Sequence, residues 1–205
     1  MFMDYDLKIC AEVMLEVSHN LLSKSGDKSS VKKIFSHPQA LAQCRGWLEA
    51  NMTGVPVLAA VSTAKAAEIV SGDGDSAAIA SELAAKLYDL KFIRRHIEDK
   101  KNNFTRFLVI SKEAPTKTGS DKTSIMFSLK NRPGALYDVL YPFKESKINL
   151  SKIESRPSKR RAWEYIFFVD MDGHIEEERV RSAIERVKEH CLYLTHLGSY
   201  PIDER

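Results

Sequence analysis

"TSIMFSLKNRPGALYDVLYPF", residues 123–143, contains a change of period. Ile125, Phe127 and Leu129 recur at every second position, the spacing of a strand with one buried face. After "NRPGAL" (131–136) the apolar residues fall at Leu136, Val139, Leu140 and Phe143, one face of a helix. The stretch therefore predicts strand, turn and helix. Downstream, "KINLSKIES" (147–155) and "WEYIFFVDM" (163–171) read as two strands joined by the polar "RPSKRRA" (156–162). Val180, Ala183, Ile184 and Val187 give a second helix, and "CLYLTHLGSY" (191–200) a last strand. The order βαββαβ is the ferredoxin-like arrangement.

Upstream, "KEAPTKTGSDK" (112–122) has Pro, Gly, hydroxyls and charges without an apolar face, and reads as a linker. The division expected is a domain over 1–111, a linker over 112–121 and the βαββαβ domain over 122–205. In the first part, Leu7, Ile9, Ala11, Val13, Leu15 and Val17 predict one half-buried strand over 6–18. "VKKIFS" (31–36) runs into a helix over 36–51, where Ser36 and Gln39 have capping-box spacing and Pro38 sits in the first turn. "VPVLAAV" (55–61) is an uninterrupted apolar run, a buried strand, and Ser62 caps the helix that follows. "SAAIA" (76–80), a helix over 81–90, and the strands "KFIRRHI" (91–97) and "FTRFLVIS" (104–111) complete an α/β domain with a largely parallel sheet.

Composition excludes several classes. A net charge of +3 over 205 residues is too mild for a nucleic-acid surface, and the basic "SKRRAW" (158–163) reads as a solvated turn. Cys10, Cys44 and Cys191 are odd in number and far apart, which predicts free thiols in a reducing, cytoplasmic setting. Charges at Asp4, Asp6, Lys8, Glu12 and Glu16 exclude a signal-peptide core, and no segment is long and apolar enough to span a bilayer. The six histidines lack ligand spacing, so no metal is expected.

Three places stand out chemically. Ser36–His37 and Ser62–Thr63–Ala64 each lie between the end of a strand and the start of a helix, where ligands sit in an open α/β sheet. Free N–H groups and the helix dipole favour a carboxylate or phosphate there; plain capping is the competing reading. His37 is either a group titrating near neutrality or an exposed first-turn residue beside Pro38. Thr105–Arg106 opens a strand with a hydroxyl beside a fixed cation.

"SHPQALAQC", "STAKAA", "AAIAS" and "NFTRF", in that order, resemble the motifs of prephenate dehydratase, and "NRPGAL" followed by "IESRP" resembles its regulatory ACT domain. The likeness runs from about Leu7 to Tyr200. It implies one lobe of a two-lobed, periplasmic-binding-protein-like domain followed by a ferredoxin-like ACT domain. It also implies conversion of prephenate to phenylpyruvate, carbon dioxide and water without metal or organic cofactor. By resemblance, Thr105 hydrogen-bonds or protonates the leaving hydroxyl, and Arg106 either orients a carboxylate or braces the strand. Ser36, His37, Ser62, Thr63 and Ala64 form the substrate-binding set. L-phenylalanine is the expected effector, held at an interface between ACT domains of a homodimer or tetramer. Its site is carried by Asn131, Pro133, Gly134, Ala135 and Leu136 with Glu154, Ser155, Arg156 and Pro157, where Glu154 meets the ammonium or, alternatively, pairs with Arg156 along the strand. The "GPxGT"-like and "NSxxGxV"-like segments of the family's first lobe do not occur, so the chain is expected to be the C-terminal part of a longer enzyme. Arogenate as substrate, and a non-catalytic amino-acid-binding module, are the alternative readings.

Overall fold

The computed structural model describes residues 7–101, 103–158 and 165–203. The first part contains β1 (Lys8–Glu16), β2 (Asn20–Ser23), β3 (Lys33–Ser36), α1 (Pro38–Gln43), α2 (Arg45–Asn51), β4 (Val57–Ala59), α3 (Thr63–Ser71), β5 (Ser76–Ala80), α4 (Glu82–Leu87), β6 (Lys91–Arg94) and β7 (Phe104–Ser111). The second contains β8 (Asp121–Leu129), α5 (Ala135–Glu145), β9 (Leu150–Pro157), β10 (Tyr165–Asp172), α6 (Glu178–Glu189) and β11 (Cys191–Pro201). Residues 15–105 form one compact unit, and those up to 14 with those from 106 onward form the other.

The strand–turn–helix expected of 123–143 is present as β8 and α5. β8, β9, β10 and β11 form an antiparallel sheet in the order β11-β8-β10-β9, the ferredoxin-like arrangement. On one face Ile125, Phe127, Val169 and Met171 pack against Val139 and Phe143 of α5 and Val180, Ala183, Ile184 and Val187 of α6. The other face is covered in part by the β1–β7 ribbon, where Ile9 joins Met126, Leu197 and Tyr200. Both faces of β8 are thus covered, which explains why Ser124, Met126 and Ser128 are buried as well as Ile125 and Phe127. Of the linker, Asp121 organises the end: its carboxylate accepts from the N–H groups of Thr118 (2.9 Å) and Gly119 (2.8 Å). The segment 159–164, holding most of the basic turn and the start of the "WEYIFFVDM" strand, lies outside the described residues.

The first part of the chain departs from expectation in five ways. Its five-stranded sheet, β4-β3-β5-β2-β6, is mixed rather than largely parallel: β3 runs parallel to β4 and β5, but β2 runs antiparallel to β5 and β6. β2 itself was hidden, since four wholly buried residues, "NLLS", show no period. The expected strand over 6–18 is β1 and pairs with β7 outside this sheet. The helix over 36–51 breaks at Cys44 into α1 and α2, and its cap is His37 instead of Ser36. Finally, β4 is an edge strand with Val57 and Leu58 each 42% exposed, so an apolar run did not mean burial. Alternation along β5 sends Ala77 and Ile79 toward Cys44 and Leu48, and Ala78 and Ala80 toward Ala66, Ala67 and Val70.

Candidate functional site

Within residues 15–105 a recess of about 480 Å³ opens beside the ends of β3 and β4. His37, Ser62, Thr63 and Thr105 line it together with Val17, His19, Gln39, Gln43, Val61 and Asn103. Four expected residues, drawn from three separated motifs, thus share one cavity. Thr105 is exposed, and its hydroxyl makes no side-chain hydrogen bond among the described residues. His37 Nδ1 accepts the N–H of Gln39 at 3.2 Å, so a neutral ring carries its proton on Nε2. Ser62 Oγ accepts the N–H of Lys65 at 3.0 Å and keeps its own proton for another acceptor. Ahead of Lys65, the N–H groups of Thr63 and Ala64 are the outward donors of a nine-residue helix. Capping and anion binding are therefore compatible at Ser62, because they use different protons.

Two expected residues do not reach the recess. Ser36 is fully buried and donates its hydroxyl to the Ile79 carbonyl at 2.6 Å. Its oxygen serves the sheet, as a strand-end serine inside a parallel pair can. Ala64 is exposed on the first turn of α3 and is not part of the lining. Arg106 belongs to the other compact unit. There its Nε lies 2.6 Å from Glu12 Oε2, off the N–H axis, its Nη1 pairs with Asp170, and its Nη2 donates to the Tyr200 hydroxyl at 2.6 Å. Burial works against the charge, but Tyr200, Asp170 and Glu12 together hold the guanidinium above its ordinary pKa. Of its two expected roles, bracing the strand is the one for which the partners are present.

Sequence reasoning missed His19, Gln43 and Asn103. His19 is buried, with Nε2 2.7 Å from Gln43 Oε1, and its backbone N–H donates to Glu98 at 2.9 Å. A signal was available: at Ser18–His19 the alternation of 7–17 stops, which marks a strand end, where site residues gather. A second hollow of about 510 Å³ shares Gln39, Gln43 and Asn103 with this recess and is also lined by Lys100 and Lys101, fixed cations that the first lining lacks.

In the unit that contains the ferredoxin-like sheet, Gly134 precedes α5 with φ +77°, a conformation that favours glycine. A Cβ there would meet nothing within 4 Å, so the backbone angle and not crowding requires the residue. A recess of about 170 Å³ beside this turn is lined by Asn131, Arg132, Ala135, Leu136, Tyr165 and Phe167, among others. Pro133 is exposed in the same turn. Ser155 and Pro157 oppose Phe167 and Tyr165 across the β9–β10 ladder and share their face. Glu154 and Arg156 oppose Phe168 and Ile166 and lie on the other face. There Glu154 accepts from Arg156 Nε at 2.7 Å and pairs with Lys152 Nζ at 3.0 Å, contacts that hold its pKa below the ordinary carboxylate value. The expected effector set is split by the pleat.

Among the described residues, no group of three or more His, Cys, Asp or Glu is placed to hold a metal ion, and no helix is long and apolar enough to cross a membrane.

The family model described as "Prephenate dehydratase" matches residues 1–115, and that of the "ACT domain" matches residues 123–189. A bifunctional chorismate mutase/prephenate dehydratase of Aquifex aeolicus is 52% identical over 201 residues, covering 98% of this chain and 56% of that protein. The prephenate dehydratase of Methanocaldococcus jannaschii is 43% identical, with 96% and 72% covered. Among solved structures, prephenate dehydratase from Arthrobacter aurescens in complex with L-Phe matches with a TM-score of 0.85 at 32% identity, over 96% of this chain and 66% of that one. The chain thus spans little more than half the length of the bifunctional relative.

Proposed function

The chain belongs to the prephenate dehydratase family and carries an ACT domain, and from that premise we propose that it serves the conversion of prephenate to phenylpyruvate, carbon dioxide and water, under control by L-phenylalanine. The observation that carries the reading is the meeting of His37, Ser62, Thr63 and Thr105 in one recess. Prephenate is a dianion. One carboxylate accepts from the N–H group of Thr63 and the Ser62 hydroxyl, at the positive end of α3. His37 Nε2–H and the neighbouring Lys100 and Lys101 supply further donors and charge. Thr105 donates a hydrogen bond to the ring hydroxyl as it leaves; a threonine is a weak acid, so it acts by position and relays a proton to yield water. The electrons of the breaking ring–carboxylate bond enter the ring, carbon dioxide departs, and aromatisation drives the step. Atoms balance without a redox partner.

In this reading residues 1–111 are the catalytic portion, 112–121 the linker and 122–205 the regulatory domain. Phenylalanine lies at the Gly134 turn, its carboxylate on the N–H groups of Ala135 and Leu136, with Asn131, Pro133, Ser155 and Pro157 around it. Glu154 and Arg156, across the sheet, join such a site only from a second copy of the domain. The open edge of β9 gives that copy a place to pair in a cytoplasmic homodimer or tetramer.

The test is phenylpyruvate release from prephenate by the purified chain, alone and mixed with the remaining portion of the Aquifex relative. Activity that disappears in Thr105→Ala is the expected result. A folded chain that docks the added portion, binds phenylalanine and shows no turnover would leave an amino-acid-binding module instead.

A further inference from the structure

The face of the ferredoxin-like sheet turned away from α5 and α6 carries a hollow of about 470 Å³, whose lining belongs wholly to one compact unit. Met126, Ile166 and Phe168 form its apolar floor, flanked by Leu108 of β7, which is 40% exposed. Cross-strand pairing sets the layout. Met126, Phe168 and Glu154 stand in one row; Arg156 opposes Ile166 on one side of it, and Lys152 opposes Asp170 on the other. Arg106 and Asp170, also in the lining, pair with each other and add no net charge. Along β9 a single carboxylate serves two cations: Glu154 Oε1 accepts from Arg156 Nε at 2.7 Å, and Oε2 lies 3.0 Å from Lys152 Nζ. One positive charge is therefore left unmatched. The Arg156 guanidinium lies 5.7 Å from the centre of the Phe168 ring, and its pairing through Nε keeps the Nη groups as donors.

A largely apolar hollow of this size with a few placed polar groups has the form of a small-molecule site, and its charge selects the occupant. We propose that it binds an aromatic monocarboxylate, with the ring over Phe168 and Met126 and the carboxylate on Arg156 and Lys152. The ring covers apolar surface that the sheet leaves open, in edge or offset contact with Phe168 and beside the Met126 thioether. The carboxylate supplies the negative charge that Glu154 alone does not provide, through charge-assisted hydrogen bonds. An ammonium group would meet the same two cations, so the hollow selects against amino acids, in contrast to the turn at Gly134. Phenylpyruvate, the product under the proposed function, has the required chemistry, but the site does not depend on that reading.

The test uses the full chain with 3-phenylpropionate, which has the ring and the carboxylate but no ammonium, and reads side-chain methyl resonances. Saturable shifts are expected at Met126, Ile166 and Leu108, with Leu136 beside the Gly134 turn unmoved. Arg156→Gln removes the unmatched charge and should weaken binding about fivefold, the scale of an exposed ion pair. Glu154→Gln frees both cations and should tighten it by a similar factor. A merely structural pair would not move affinity in opposite directions. The neutral amide 3-phenylpropanamide should not bind, which tests the charge argument without any variant. No saturation by 3-phenylpropionate, equal binding of the amide, or shifts at Leu136 that vanish in Gly134→Ala would each overturn the proposal. So would shifts of Met126 and Ile166 that follow protein concentration with no carboxylate added, since that face would then be a contact between copies.

Discussion

At Gly198 the ribbon passes close over the sheet, and replacing it by alanine tests that packing. Its φ is +153°, and a Cβ built on it would lie 2.1 Å from the Ile9 carbonyl oxygen, where ordinary contact begins at 3.4 Å. Backbone cannot swing aside as a side-chain tip does, so β1 must lift by more than an ångström. Ile9, 1% exposed, then leaves Met126, Leu197 and Tyr200. Exposing an isoleucine costs ~1.5–3 kcal/mol, and the backbone angle adds roughly 1 kcal/mol for a residue with a Cβ. A loss of about 3 kcal/mol corresponds to a drop of roughly 10 °C for a unit of this size. Calorimetry gives the melting temperature, and hydrogen exchange at the β1 amides reports whether the ribbon has lifted. A Gly198→Ala protein that melts within about 1 °C of wild type, with β1 still protected, would refute the reasoning.

Other outcomes follow from single groups. Burial, with Lys8 and His174 adding to it, pushes the His196 pKa down to about 4 from an ordinary 6.5. The unfolded chain therefore takes up this proton first, so stability falls as pH drops from 6.5 through 4, by about 3 kcal/mol in all. Urea melts across that window should show the loss, and His196→Gln should flatten it. Asp99 accepts the N–H groups of Gly46 (2.8 Å) and Trp47 (2.9 Å) at the start of α2. Asp99→Ala should cost ~1–2 kcal/mol in denaturant melts. Gly134→Ala should raise the cost of the turn by about 1 kcal/mol, weakening L-phenylalanine binding in calorimetry about fivefold while leaving the sheet's exchange protection intact.

The fold was most legible where each element has one wet face. In α6, Val180, Ala183, Ile184 and Val187 are all buried, as their spacing requires. It was least legible where both faces or neither are covered. β2 is buried throughout and too short to show a period, while β4 is equally apolar yet lies at an edge. Strand direction in the five-stranded sheet depends on β2 and so was lost with it. The helix cap moved by one residue because Ser36 found a sheet carbonyl first.

The site was legible as a set of motifs but not as a set of directions, although the directions follow from an elementary rule. Successive side chains of a strand point to opposite faces. Thr105 and Arg106 are neighbours in β7, so their side chains point to opposite faces. Thr105 lines the recess, and Arg106 pairs with Asp170 and Tyr200. The same rule divides "ESRP": Ser155 and Pro157 face the Gly134 turn, Glu154 and Arg156 face away. What alternation cannot supply is the partner. Arg106 and Tyr200 are 94 residues apart, and Arg106 and Asp170 are 64 apart. Only the pairing of β8 with both β10 and β11 brings those two acceptors to one guanidinium. A hydroxyl that lines the recess and a cation that pairs with distant strands can thus share a dipeptide because they face opposite ways.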